Sequence, residues 1–229
     1  PPRSTLFPYT TLFRSWQINS VNEPEKNAEG LCLYSRKTGL PGKLTLKALL
    51  PEAENREINT IGGDMANSVA NQKFEAPSPN PEARGWRTLI SPKAAAQENR
   101  FLMSMQISDA DYPELKIEKI DTPEYCGVIV ADRIVCFSKT GQSIEKAFHL
   151  EIPSFSEKFQ ILLCDVAGGM WTIKSEDGKE LYNAETKDDS GCIFVVLQPG
   201  KYKFYPGKAG TAKQLPNYNE IKARDMKTV

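Results

Sequence analysis

The chain has 229 residues, of which 40% are hydrophobic and 25% charged, a composition that argues against disorder over the whole length. Its 29 basic residues balance its 29 acidic residues, which disfavours a nucleic-acid-binding protein, and no stretch reaches the roughly 18 apolar residues of a membrane span. A single histidine excludes a site built from several histidines, and the length fits one large β-type domain or two small ones.

The first fifteen residues, PPRSTLFPYTTLFRS, contain no acidic residue and show neither helical nor strand periodicity. Residues 5–15 resemble the in-frame translation of a common sequencing-adapter oligonucleotide. We therefore expect residues 1–15 to be non-native, and the native sequence to enter at Trp16 as a fragment of a longer reading frame. A natural flexible arm is the alternative interpretation.

Short runs of alternating apolar and polar residues follow, bounded by glycine and proline, and they predict half-buried strands whose apolar sides face a core. Two runs around Asp132-Arg133 are more continuously apolar and predict a tight hairpin buried on both sides. In the last run, His149 and Glu151 are predicted to point away from the core. The predicted strands of this part are residues 43–50, 86–91, 101–107, 126–131, 134–138 and 148–152.

The remaining strands form a predicted compact meander, in which Asp177-Gly178 signals a two-residue type I′ hairpin turn. Helical spacing is not sustained for three turns anywhere, so residues 92–99 and 217–227 are the only candidates for short helices. The polar, proline-rich residues 67–84 are predicted to form a surface loop. The predicted strands of the meander are residues 159–163, 170–175, 180–184, 193–197 and 202–204.

Regular short strands with almost no helix predict an all-β fold of the antiparallel β-sandwich class. We expect residues 16–152 to form part of a large sandwich and residues 153–206 a smaller C-terminal β-sandwich. A unit of roughly 50 residues is near the lower limit for independent folding, so it is expected to dock against the preceding sheet. Residues 207–229 are polar and lysine-rich and are predicted to be a tail.

The five cysteines are scattered, without a Cys-x-x-Cys pair, and their odd number excludes a complete disulfide framework. We expect them to be small buried hydrophobic side chains. Cys126 and Cys136 flank the predicted hairpin, which leaves a pairing between them open. Zinc is disfavoured, because the ligand spacing and a histidine cluster are both missing. The cysteines are Cys32, Cys126, Cys136, Cys164 and Cys192.

The other candidate residues are also expected to have structural roles. His149 beside Glu151 is predicted to be a surface histidine rather than a general base. Trp86 and Trp171 alternate with core residues and are predicted to be buried rather than to form a sugar-stacking platform, whereas Trp16 gives no indication. Carboxylates beside turns are expected to be solvated. They are Asp121, Glu124, Asp188 and Asp189.

The chain carries an ordered set of short motifs. In order they are Trp16-Gln17-Ile18-Asn19-Ser20-Val21-Asn22-Glu23-Pro24, Gly42-Lys43-Leu44 to Leu49-Leu50-Pro51, Ile61-Gly62-Gly63, Gly85-Trp86-Arg87 to Ser91-Pro92, Phe101-Leu102, Gly127-Val128-Ile129-Val130, Val135-Cys136-Phe137-Ser138, Gly168-Gly169 with Trp171, and Pro199-Gly200-Lys201-Tyr202. Together they resemble the C-terminal β region of the heparinase II/III-like polysaccharide lyases over residues 16–206. Alginate and other uronate lyases share this architecture, so the polysaccharide stays open.

The resemblance implies a bacterial parent enzyme in which a helical toroid precedes β-sandwich layers. Its implied reaction is β-elimination at a uronic acid, in which a base removes the C5 proton and an acid protonates the leaving glycosidic oxygen. The family's tyrosine and histidine catalysts and its metal ligands precede the region that starts at Trp16. Asn19 stands where we associate a Trp-x-x-His motif with the family, which leaves the role of Asn19 open.

On this resemblance we expect a structural fragment that is inactive alone. No catalytic, cofactor-binding or metal-ligating residue is assigned to it, and no cofactor is expected. Its expected partner is an acidic polysaccharide such as a glycosaminoglycan, bound through the missing upstream region, with neither nucleic acid nor membrane as a partner. The implied location is periplasmic or secreted. A carbohydrate-binding β-sandwich module and an extracellular interaction domain are the alternatives.

Overall fold

The computed structural model describes residues 15–35, 41–69, 72–75, 85–96, 98–186 and 191–215. Strands account for 57% of the described residues and helix for 3%, which confirms the predicted all-β fold with antiparallel sheets. None of the helices in the described residues is long and apolar enough to cross a membrane. The adapter-like segment before Ser15, most of the predicted loop 67–84 and the candidate helix 217–227 lie outside the described residues.

Two compact units divide between Glu114 and Leu115. The first contains sheets ordered β1-β8-β5, β2-β3-β4-β9 and β6-β7, and two 3-10 turns at Ala53–Asn55 and Gly63–Met65 that the sequence did not predict. Pro92 ends a strand, and the described residues between it and Asn99 hold no helix. The strands of this unit are β1 Trp16–Ser20, β2 Glu25–Lys26, β3 Gly30–Tyr34, β4 Gly42–Leu50, β5 Arg56–Gly62, β6 Ser68–Val69, β7 Gln72–Lys73, β8 Trp86–Pro92 and β9 Leu102–Asp109.

Strand β9 departs from the predicted orientation. Met105 and Ile107 are 54% and 82% exposed, whereas Ser104 and Gln106, which alternate with them, are buried. Met105 lies opposite the buried Leu46, so both residues share one face of the sheet. However, β9 is the edge strand of this sheet, and Met105 and Ile107 at its far end are not covered. Gln106 on the other face donates a hydrogen bond to the Pro113 carbonyl at 3.1 Å. The prediction that the apolar side of this strand is covered is therefore wrong for its second half.

The second unit contains two five-stranded sheets, ordered β10-β11-β12-β14-β17 and β13-β18-β15-β16-β19. All pairings are antiparallel except β12 with β14 and β16 with β19, which are parallel. The predicted hairpin around Asp132 is confirmed, as β11 and β12, but its predicted burial on both sides is wrong, because Phe137 is 40% exposed. The strands are β10 Ile117–Asp121, β11 Tyr125–Val130, β12 Arg133–Ser138, β13 Phe148–Ile152, β14 Phe159–Leu163, β15 Gly169–Ser175, β16 Leu181–Thr186, β17 Ile193–Leu197, β18 Gly200–Pro206 and β19 Lys213–Gln214.

The core of the second unit draws on strands from both sides of the predicted boundary at 152/153. Strand β13, which precedes that boundary, pairs with β18 along its full length, from Phe148 opposite Phe204 to Ile152 opposite Gly200. The structure thus divides into units at Glu114 rather than at residue 152. A roughly 50-residue meander buries little apolar surface, and strands β10–β13 supply the rest of its two sheets.

Residues 207–215, predicted to begin a polar tail, pack against the second sheet. The Thr172 hydroxyl donates to the Gly207 carbonyl at 2.8 Å, and the Asn183 side-chain amide donates to the Ala209 carbonyl at 2.9 Å. Leu215 then packs against the core. Two buried polar side chains, Thr172 and Asn183, therefore form hydrogen bonds with this segment. Residues 216–229 of the predicted tail lie outside the described part of the chain.

The hairpin between β15 and β16 is confirmed, but its turn is longer than the predicted two residues. Ser175 donates its backbone N–H to the Glu180 carbonyl, which leaves residues 176–179 as the loop, and Gly178 has a φ of 74°. The carboxylate of Asp177 accepts hydrogen bonds from the Ser175 hydroxyl at 2.7 Å and from the Lys179 backbone N–H at 3.1 Å. These contacts, led by the Ser175 hydroxyl, lower the pKa of Asp177 to about 2.

We expect Ser175→Ala to return the pKa of Asp177 toward its ordinary 3.8. Because the folded-state pKa is the lower one, the ionised carboxylate stabilises the hairpin above the unfolded-state pKa, and this contribution is lost as the pH falls through about 2. A carbon-detected NMR titration of the Asp177 carboxyl group measures the shift, with Ser156→Ala as the control that leaves it unchanged. An Asp177 pKa still near 2 in the Ser175 variant contradicts this account.

Candidate functional site

A groove of about 640 Å³ lies on the outer face of the sheet that contains β13, β18 and β15. Apolar side chains of these strands point into the sandwich, so the residues that alternate with them line the groove. Strand β13 contributes His149 and Glu151, and the turn before β11 contributes Glu124. The lysines of the groove are Lys174, Lys201 and Lys203.

The strand register aligns three cationic or protonatable side chains in one row across the sheet. His149 lies opposite Lys203, and Lys203 lies opposite Lys174. Side chains directly opposite each other on neighbouring antiparallel strands have Cβ atoms about 5 Å apart. We call these three residues the basic row.

Within the described residues, none of the three groove lysines forms a salt bridge. Lys201 lies two residues from Lys203 on β18, on the same face of the sheet, and opposite Glu151. Three glutamates also line the groove, at positions 124, 151 and 176, so its lysines and glutamates balance in number. Positive charge is therefore concentrated at the end of the groove that holds the basic row, where the neighbours of each lysine are cationic or neutral.

His149 is exposed and lies on the same face as Glu151, which confirms the predicted surface position. Its backbone carbonyl accepts a hydrogen bond from the buried hydroxyl of Tyr125. Burial is the main cause that raises the pKa of Tyr125, so this hydroxyl stays protonated and donates across the physiological pH range. The side chain of His149, in contrast, has no orienting hydrogen bond to the described residues, which a general base requires.

The tryptophans do not form a platform on the groove. Trp171 is 1% exposed and donates from Nε1 to the Ala167 carbonyl at 2.9 Å, which confirms its predicted core position. Trp86 is half-buried rather than fully buried as predicted, and its ring lies over Gly62, where a Cβ atom would come within 2.2 Å of the ring. Trp171 therefore has no exposed face that could stack on a sugar, and the contact with Gly62 covers part of the Trp86 ring.

The predicted burial of cysteines is confirmed for Cys126 and Cys136, whereas the other three are half-buried. Cys126 lies opposite Phe137, and Cys136 lies opposite Gly127. Because Cys126 and Gly127 are consecutive on one strand, the two cysteines point to opposite faces of the sheet, which explains why they do not pair. Burial raises the pKa of Cys136 to about 12 and keeps it an unreactive thiol.

Of the remaining sequence candidates that the structure describes, Glu124 lines the groove, whereas Asp121 and Asn19 do not. Asp121 is exposed and ion-paired with Lys139, which lowers the pKa of its carboxyl group. Asn19 is exposed on β1 and accepts a hydrogen bond from Gln17 at 3.1 Å. Asp188 and Asp189 lie outside the described residues. Among the residues that the structure describes, no group of three or more histidine, cysteine, aspartate or glutamate side chains is placed to hold a metal ion.

The sequence analysis singled out His149 and Glu151 but not Lys203 and Lys174, the two lysines that complete the basic row. Lys201 and Lys203 alternate with buried Tyr202 and Phe204, a pattern that places both lysines on an outer face. The neighbours of Lys203 across the sheet depend on the strand order and register, which alternation does not encode.

Comparison with protein-family models identifies part of the second unit. Residues 119–206 match the family model of the heparinase II C-terminal domain. This range runs from β10 to the last residue of β18, so it covers most of the second sandwich and all of the strands that line the groove. A search of curated proteins found no match.

Proposed function

We propose, on the premise that residues 119–206 form a heparinase II C-terminal domain, that the chain is the C-terminal β region of a heparinase II/III-like polysaccharide lyase. The parent reaction would then be β-elimination at uronic acids. The observation that carries the proposal is the family match to an all-β sandwich. A periplasmic or secreted location belongs to the same proposal, because acidic polysaccharides occur outside the cytoplasm.

Within such an enzyme we assign the chain a structural role, and we expect it to be inactive alone. Elimination needs a base, an acid and a group that offsets the carboxylate charge, all gathered at one sugar ring. The groove supplies lysines that are suited to the third task. Its histidine lacks an orienting partner among the described residues, and Tyr125 and Tyr202 bury their rings in the core.

Complementation of a truncated lyase tests the structural role. A heparinase II-like lyase that lacks its own C-terminal region is co-expressed with this chain, and with a Phe148→Ala variant of it as the destabilised control. We expect the intact chain to restore soluble enzyme and cleavage, and the variant to restore less. Equal yields of soluble enzyme with the intact chain and with an empty vector would contradict the proposed role.

A second candidate function, binding of an acidic polysaccharide by the chain itself, is supported by the basic row. Lysines without ion-pair partners can form charge-assisted hydrogen bonds to carboxylate or sulfate groups. A sugar chain lying across the strands would meet His149, Lys203 and Lys174 in succession. This extends the carbohydrate-binding alternative from aromatic stacking to ionic contacts.

We expect the double substitution Lys174→Gln with Lys203→Gln to weaken binding to heparin about tenfold, because each exposed charge pair contributes up to about 1 kcal/mol. The matched control is Lys146→Gln with Lys158→Gln, which removes two exposed lysines from outside the groove of the same unit. Isothermal titration at low and moderate salt measures both pairs. Equal loss of affinity in the two variants would show that the attraction is a property of net charge and not of the basic row.

A further inference from the structure

Two cysteines of the second unit lie opposite each other at the end of one strand pair. Strands β14 and β17 run antiparallel with Leu163 opposite Ile193. Continued by one residue, this register brings Cys164 opposite Cys192, just beyond the last paired residues of the two strands. The strands stay joined beyond the two cysteines, because Val166 donates its backbone N–H to the Gly191 carbonyl at 2.8 Å.

The backbone pattern identifies the type of this pair. Cys164 donates its backbone N–H to the Cys136 carbonyl at 2.9 Å, on the neighbouring strand β12. Backbone groups of successive strand residues point to alternate sides, so those of Leu163 point toward β17 and those of Cys164 point away from it. Cys164 and Cys192 are thus a non-hydrogen-bonded pair, for which the Cα atoms are about 4.5 Å apart, within the range of a disulfide.

The two side chains are also close together and partly accessible. The Cys192 thiol is near enough to act on the pKa of Cys164, and both residues are half-buried rather than enclosed. Burial is the main cause that raises the pKa of Cys164, to about 12, and the Cys192 thiol adds to it, so Cys164 is a poor first nucleophile and its reaction follows attack by its partner.

We propose that Cys164 and Cys192 are a modification site, at which a small-molecule disulfide such as oxidised glutathione introduces a cross-strand disulfide bond. One cysteine thiolate attacks a glutathione sulfur and releases one glutathione thiolate, which gives a mixed disulfide. The second cysteine attacks the mixed disulfide, so that an Sγ–Sγ bond forms and the second glutathione leaves. The protein loses two protons and two electrons, and oxidised glutathione becomes two reduced glutathione molecules. This inference does not depend on the proposed function.

Peptide mapping tests the proposal on the complete chain. The protein is incubated with oxidised glutathione in mildly alkaline buffer, its free thiols are then alkylated in denaturant so that buried thiols react, and its digest is analysed by mass spectrometry without reduction. We expect a protein lighter by two hydrogen atoms, a linked pair of peptides that contain Cys164 and Cys192, and alkylated Cys32, Cys126 and Cys136. The melting temperature of the oxidised protein should rise by roughly 5 °C.

Two substitutions sharpen the test. Cys164→Ser should stop the reaction at a Cys192–glutathione adduct, whereas Cys32→Ser should leave the cross-link intact. Alkylation of both Cys164 and Cys192 after oxidation, or adducts on both without a cross-link in the unsubstituted protein, would overturn the proposal. A cross-link that joins either residue to a different cysteine would overturn it equally.

Discussion

Replacing Phe148 with alanine is expected to lower the free energy of unfolding of the second unit by about 3–5 kcal/mol, the largest effect of any substitution considered for this unit. Phe148 is 1% exposed and contacts three other buried rings. It stacks on Phe204 with ring centroids 5.0 Å apart, meets Tyr125 edge-on at 5.4 Å, and lies 5.9 Å from Trp171. The truncation removes apolar contact from both sheets at once and leaves a cavity between them.

Urea unfolding monitored by Trp171 fluorescence measures the loss, in a background where Trp16→Phe and Trp86→Phe remove the other tryptophans. Phe137→Ala is the matched control, because Phe137 lies on the outer face of the same unit and is 40% exposed. We expect the control to cost less than about 1 kcal/mol. A Phe148 variant no less stable than the Phe137 variant contradicts the placement of the aromatic cluster at the centre of the core.

In the first unit, Arg56→Leu is expected to cost about 3 kcal/mol. Arg56 is buried, and its guanidinium group donates to the carbonyls of Ala48 at 2.6 Å, Ala28 at 2.7 Å and Pro51 at 2.9 Å. Burial is the main cause that lowers its pKa, and three charge-assisted hydrogen bonds offset that desolvation. Leucine fills part of the space but leaves the three carbonyl oxygens without their donor.

Arg100→Leu is the matched control, because Arg100 is exposed in the same unit and should change stability by less than about 0.5 kcal/mol. Arg56→Lys should fall between the two, because it keeps the charge but not the planar fork that reaches several carbonyls. Unfolding is monitored by Trp16 and Trp86 in a Trp171→Phe background. Equal stability of the Arg56→Leu and Arg100→Leu variants would show that the buried contacts contribute nothing.

Alternation of residue types predicted the fold class and the orientation of most strands in the second unit. In β13 the apolar residues are buried and the polar residues between them are exposed, because one face of the sheet lies in the core. Alternate residues are also buried in β14 and β17, although Leu162, Phe194 and Val196 on their other side are apolar too. The same pattern was misleading in β9, where Ile107 belongs to the apolar face but lies beyond the residues that cover it. A sequence pattern shows that two faces differ, and the packing of other strands determines how far one face is covered.

The sequence does not predict which distant strands pair or in which register. The second unit begins before the predicted boundary at 152/153 because β13 pairs with β18, a contact between segments about 50 residues apart in the chain. The basic row and the Cys164–Cys192 pair depend in the same way on registers that no local pattern encodes. The turn at Asp177-Gly178 was recognised by its residues, but its length follows from the hydrogen bonds of Ser175.

A direct assay for elimination tests the central claim that this chain supports a lyase without cleaving polysaccharide itself. The purified chain is incubated with heparan sulfate and with alginate, and the ultraviolet absorbance of unsaturated uronate is followed beside an active lyase on each substrate. The account predicts no increase above the rate without protein, even at high protein concentration. Sustained formation of unsaturated product by the chain, abolished by substitution of one of its own residues, would contradict it.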